Sequence, residues 1–167
     1  MKLYKKGVSL LHTLMMILVS AGLVIMICVT ALEVVRRYVF GLSFSWAEEL
    51  VKYLMIMVAF FGGAVAYRDK GLVSLDLLTG KLSKKAQIVI ELLSETVAVA
   101  LIAMLFWFSL QSVLKPGVYR QISIGLKVSM AIPWAPLPIG FGAMLLFAPE
   151  HYYQLFSRLM GKDGEQA

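Results

Sequence analysis

Four stretches of the chain are almost free of charge, and short polar segments separate them. Residues 8–32 contain no Asp, Glu, Lys or Arg across 25 positions, and residues 96–114 and 128–149 are charge-free over 19 and 22. About 20 apolar helical residues cross the ~30 Å of hydrocarbon in a bilayer, so each stretch reads as a membrane span. The first runs too far past its small residues for a cleaved signal sequence. The second charge-free stretch, 53–67, has only 15 residues, about 22 Å of helix at ~1.5 Å per residue. Its helix must start earlier, and Ser45-Trp46-Ala47-Glu48 has the spacing of a capping box. A start there gives a span over 46–67 with a polar first turn, on which Glu48 and Lys52 share a face. The expected fold is all-α: one polytopic four-helix membrane domain over 1–167, with spans at about 8–32, 46–67, 96–114 and 128–149.

Composition agrees with this pattern. The chain is 60% hydrophobic and only 16% charged, against about 45–50% and about 25% in soluble domains. That excludes a disulfide scaffold and a disordered chain, and it argues against a soluble enzyme. The single cysteine, Cys28, rules out an internal disulfide and a thiolate metal cluster. The net charge of +6 does not point to nucleic acid, because the basic residues flank apolar stretches and read as topology signals. With the N-terminus cytoplasmic, the inner segments hold ten Lys and Arg and the outer segments six, so both termini are expected in the cytoplasm.

The connections differ in character. The first outer one carries Glu33, Glu48 and Glu49 against Arg36, Arg37 and Lys52. Glu33 stands three and four residues before the two arginines, so helix one should run on to a cap at Gly41. The inner connection, 68–95, mixes leucines with Asp76, Lys81 and Lys84 and reads as a short interfacial segment between spans two and three. A helix capped by Ser83 then leads from Lys84 into span three, with Gln87, Glu91 and Glu95 on one stripe. The second outer connection has three positive charges and no acid, and Pro133, Pro136 and Pro138 should kink or start the last span. The polar tail beyond Gly161 is expected to fray.

Catalytic and cofactor motifs are missing from the sequence. No H-E-x-x-H, CxxC or P-loop pattern occurs, no nucleophile and base converge, and no cofactor or metal is expected on this chain. A self-sufficient carrier would place ionisable residues inside its spans; Glu91 and Glu95 come nearest. They are expected to pair with Lys84, Lys81 or Arg68 on a cytoplasmic extension. Ala59-x-x-x-Gly63 and Gly62-x-x-x-Ala66, with Gly140-x-Gly142, permit close helix approach. Packing within the four-helix unit is favoured there over docking on another membrane protein, which leaves Gly62 and Gly63 as interface candidates.

Several segments together carry a family resemblance. They are Arg36-Arg37-Tyr38-Val39-Phe40-Gly41, Ser45-Trp46-Ala47-Glu48-Glu49-Leu50, Phe60-Phe61-Gly62-Gly63-Ala64, Tyr67-Arg68, Val73-Ser74-Leu75-Asp76, Ile132-Pro133-Trp134 and Leu137-Pro138-Ile139-Gly140. Over roughly 33–142 the chain resembles the small, DctQ-type membrane subunit of tripartite ATP-independent periplasmic (TRAP) transporters. The resemblance implies a non-catalytic subunit of the bacterial inner membrane. It would pack beside a large multi-span subunit that carries the solute, often an organic acid, and the coupling sodium ions. It would also help to dock a periplasmic binding protein. No substrate residue is then expected on this chain. Two other readings are a self-sufficient small dimeric carrier and an assembly subunit of an unrelated membrane complex.

The remaining candidates form a junction at the outer surface. Trp46 suits the headgroup level, Glu48 caps span two and faces its dipole, and Glu49 is expected to pair with Arg36 or Arg37.

Overall fold

The computed structural model describes residues 2–42, 44–69 and 84–159. The expected interfacial segment between spans two and three falls largely on 70–83, outside the described residues. The elements are α1 (Lys2–Phe40), α2 (Ser45–Arg68), α3 (Lys84–Val113), the short α4 (Pro116–Arg120) and α5 (Ala131–Trp134), and α6 (Pro136–Leu159). Four of these helices are long and apolar enough to cross a membrane. The 39 residues of α1 extend about 58 Å at ~1.5 Å each, well beyond any hydrocarbon layer. It ends at Gly41, whose φ of +66° is the left-handed conformation that a glycine cap supplies without steric cost.

Two boundaries differ from expectation. Ser45 is the first residue of α2 and not its cap; Phe44 holds the cap position without a side-chain cap bond, so the capping box does not form. The last span begins after a break at Ala135, with Pro136 opening α6, where a missing N–H costs nothing. It then passes through Pro149 and continues to Leu159, ten residues beyond the expected end.

The four long helices do not close into a bundle. They lie in a row, α1 on α2, α2 on α6 and α6 on α3. Helix–helix attraction in lipid rests on close packing rather than on the hydrophobic effect, and glycines sit at every contact. A methyl group on Gly22 of α1 would lie 2.8 Å from Met57 Cε of α2. Gly62 faces Val19 of α1, Gly63 faces Met144 of α6, and Gly142 faces Phe106 of α3. At Gly140 the two central helices meet backbone to side: a methyl group there would stand 2.9 Å from the Phe60 carbonyl oxygen. Around these contacts Ala64 and Phe147 are 0% exposed, with Val8, Met15, Phe61, Tyr67, Ala143 and Ala148 completing the core. Two threonine hydroxyls bond back within their own helices, Thr30 Oγ1 to Met26 O (2.7 Å) and Thr96 Oγ1 to Leu92 O (2.7 Å).

Gly140→Ala should therefore lower stability by about 1–3 kcal/mol, the cost of overpacking a tight contact. Gly7→Ala, where nothing lies within 4 Å, should be neutral or gain up to about 1 kcal/mol. Thermal unfolding of the two variants in detergent micelles distinguishes these outcomes; equal melting temperatures would contradict the close approach.

Candidate functional site

The row is tied together by one polar junction at each end. The first lies where α1 turns into α2. Glu33 Oε1 accepts the Phe44 N–H at 3.0 Å, the bond to the cap residue's amide that a capping box would take from Glu48. The Arg36 guanidinium lies 3.4 Å from the centroid of the Phe44 ring, a cation–π contact, and Phe44 in turn packs against Trp46 at 5.2 Å between ring centroids. Arg36, Trp46 and Phe44 thus brace the turn through ring faces.

Glu49 does not pair with either arginine. Its two oxygens accept the N–H groups of Ile124 (3.1 Å) and Leu126 (3.0 Å). Those amides belong to a tight hairpin over 121–130, closed by Ser123 N to Val128 O (2.9 Å) and Met130 N to Gln121 O (2.9 Å). Gly125 at its tip leaves no room for a side chain: a methyl group would stand 2.7 Å from the Ser45 carbonyl oxygen. The reason for the different partner is geometric. A carboxylate on the first turn of α2 can take two backbone donors of a turn pressed onto that turn, whereas Arg36 is engaged on Phe44. The sequence signal for this contact was the glycine–acid combination, Gly125 with Glu49, which 75 intervening residues conceal. Arg37 and Glu48 are exposed, and the pocket between α1 and α2 includes both of them.

The second junction lies at the end that carries the chain termini, and the sequence reading missed it. Tyr67, Glu95 and His151 are 4%, 5% and 3% exposed and come from α2, α3 and α6. The Tyr67 hydroxyl donates to Glu95 Oε1. His151 Nδ1 lies 3.2 Å from the same oxygen, and Nε2 lies 3.1 Å from the Arg68 carbonyl. That carbonyl is one of the last of α2, which has no helical partner and can only accept, so Nε2 carries a proton. Glu95 is thus drawn inward to His151 and Tyr67, and Arg68 bonds through Nε to Glu150 Oε2 at 3.3 Å, its guanidinium 5.5 Å from the Phe147 ring centroid. α1 joins through His12, 3.1 Å from an Asp69 oxygen, and through Tyr4, which donates to Leu146 O. Tyr152 donates to Thr96 Oγ1 at 3.2 Å.

These contacts link helices and assemble no nucleophile, base and oxyanion site around a reacting atom. Among the described residues no group of three His, Cys, Asp or Glu could hold a metal ion. A row of four apolar helices fastened at both ends is the architecture of a multi-pass membrane subunit. The family follows from comparison with known proteins: residues 26–158 match the model of the DctQ component of tripartite ATP-independent periplasmic transporters. The chain belongs to the DctQ family, a transporter component and not an enzyme. It is 23% identical over 130 residues to the isethionate TRAP transporter permease protein DctMQ of Oleidesulfovibrio alaskensis, covering 74% of this chain and 20% of that protein. It is 33% identical over 79 residues to a protein of Haemophilus influenzae described as a TRAP transporter small permease, covering 47% of this chain and 49% of that one. The matches thus span a fifth and about half of these relatives' lengths.

Two outcomes follow from the junctions. Glu49→Ala should abolish hydrogen-exchange protection at the Ile124 and Leu126 amides, while Arg37→Ala leaves both protected; protection retained in Glu49→Ala would refute the capping contact. His151→Leu should cost about 3–5 kcal/mol, the penalty of stranding one member of a buried pair. Adding Glu95→Leu should recover part of that loss, as a double-mutant cycle in detergent would register.

Proposed function

We propose that this chain is the small permease subunit of a sodium-coupled TRAP-type uptake system for an organic acid, seated in the bacterial inner membrane with both termini cytoplasmic. It packs beside the large membrane subunit, helps to anchor it and helps to dock the periplasmic binding protein, while solute and sodium are handled on the other chains. The observation that carries this reading is the open row. Its edge helices, α1 and α3, are apolar and poorly covered along their whole length, with Leu10, Leu14, Ile17, Val24 and Ile27 of α1 exposed, and Leu93, Val97, Leu101, Met104 and Trp107 of α3. A closed four-helix unit would have packed α1 against α3 and covered side chains on both. On α1 the exposed small residues Ser20 and Ala21 form a shallow apolar groove with Met16, Ile17, Val24 and Ile25, the kind of depression into which a neighbouring transmembrane helix fits. The DctMQ relative, five times as long as its matched part, supports a large membrane partner. The excess of Lys and Arg on the terminal side supports the orientation.

Mild-detergent purification of the tagged chain, expressed with its large membrane partner, tests the reading. Ala21→Leu, which fills the α1 groove, should lower recovery of the large subunit and solute uptake together, by about tenfold if one helix contact is lost. Helical content and melting temperature should stay at the parental values. Unchanged recovery would remove α1 from the interface. Solute uptake by the small subunit alone in liposomes under a sodium gradient would overturn the accessory role.

A further inference from the structure

From the groove between α1 and α2 we infer a binding site for the headgroup of an ethanolamine phospholipid. The groove encloses about 380 Å³, within the range of small-molecule sites. Val29, Val34, Ala47 and Val51 line it together with the charged Glu33, Arg37, Glu48 and Lys52. The charge-free run of α1 ends at Leu32, so the groove straddles the border between hydrocarbon and headgroups.

The six charged side chains of this connection divide into two sets. Glu33 accepts from the Phe44 amide, Arg36 lies on the Phe44 ring, and Glu49 caps the 121–130 hairpin. The other three, Arg37, Glu48 and Lys52, have no ion-pair partner within 4 Å among the described residues, and all three line the groove. Two cations and two carboxylates, of which Glu33 is already held by the Phe44 amide, give a half-apolar cleft of balanced charge that matches a zwitterion, a phosphodiester linked to a primary ammonium. Arg37 and Lys52 face the phosphate, the guanidinium being suited to bidentate contact. Glu48 accepts from the ammonium. A choline headgroup has no N–H to donate to Glu48, and a glycerol headgroup has no positive charge for it, so the carboxylate selects ethanolamine. The inference rests on the membrane-spanning fold and not on the transport role, so either can fail without the other.

Native mass spectrometry of the full chain, extracted in mild detergent and titrated with ethanolamine, choline and glycerol phospholipids of the same acyl chains, tests it. The ethanolamine lipid should be retained in preference to the other two. Arg37→Gln with Lys52→Gln should weaken its retention about tenfold, the equivalent of one charge-assisted hydrogen bond. Glu48→Gln should erase the preference over choline and glycerol lipids. Lys115→Gln, an exposed charge outside the groove, should change nothing, and all variants should melt like the parent. Equal retention of the three lipids by the parental chain, or undiminished retention in the Arg37/Lys52 double variant, would overturn the site. Displacement by free phosphoethanolamine as effectively as by the lipid would overturn the lipid source. A cross-link from Arg37→Cys to the large subunit that excludes lipid would assign the groove to protein.

Discussion

The close approach of α2 and α6 at Gly140 is the contact from which the rest of the arrangement follows. Inside a bilayer, burying an apolar side chain against a neighbouring helix gains little over leaving it in lipid, so association depends on how closely two helices can come. Without a side chain at Gly140, the Phe60 backbone enters the surface of α6, and Phe60 and Phe141 then meet edge to face at 5.3 Å. With that pair established, Gly22 seats α1 on the far side of α2 and Gly142 seats α3 on the far side of α6. Each glycine serves one neighbour, and the result is a row with two free edges.

A row held only by such contacts could slide, and the two polar junctions oppose this by different means. At the turn end, a carboxylate of α2 satisfies two backbone amides of a hairpin that lies against it. No long side chain has to be ordered on the donor side, and water can reach the rim. At the terminal end the groups are buried, so their polar atoms must find partners locally. Tyr67, Glu95 and His151 do this as a unit, and His151 also fulfils the hydrogen-bonding requirement of the Arg68 carbonyl. A lone carboxylate at that depth would be costly; one that accepts from the Tyr67 hydroxyl and lies against His151 is less so. The same junction joins α2, α3 and α6, the three helices that the glycine contacts arrange in sequence.

This division fits a component that presents edges rather than encloses a path. The solid contacts lie in the middle of the row, and its polar groups lie at the ends, engaged in fastening helices. Among the described residues, Arg37, Glu48 and Lys52, which have no ion-pair partner, lie together in one groove beside the α1–α2 turn.

Much of the architecture was legible in the order of residues. Charge-free length alone defines spans, because each unsatisfied charge in hydrocarbon is expensive, and this marked all four helices. The run of α1 to Gly41, the helix entering at Lys84 and the proline-opened last span were likewise local, set by positive φ, by periodicity and by a missing N–H. The charged junction near Trp46 was visible as a composition, but its pairing was not. Glu49 had arginines close in sequence, and it found instead two amides 75 and 77 residues away, because helix packing presses that hairpin onto α2. Glu95 read as part of a polar stripe with Gln87 and Glu91, and nothing local linked it to His151, 56 positions away. The sequence by itself determined which segments enter the membrane, since the transfer cost of charge depends on local composition. Only the tertiary structure decided which polar groups satisfy one another, since that depends on which helices become neighbours, and here the glycine contacts set that order.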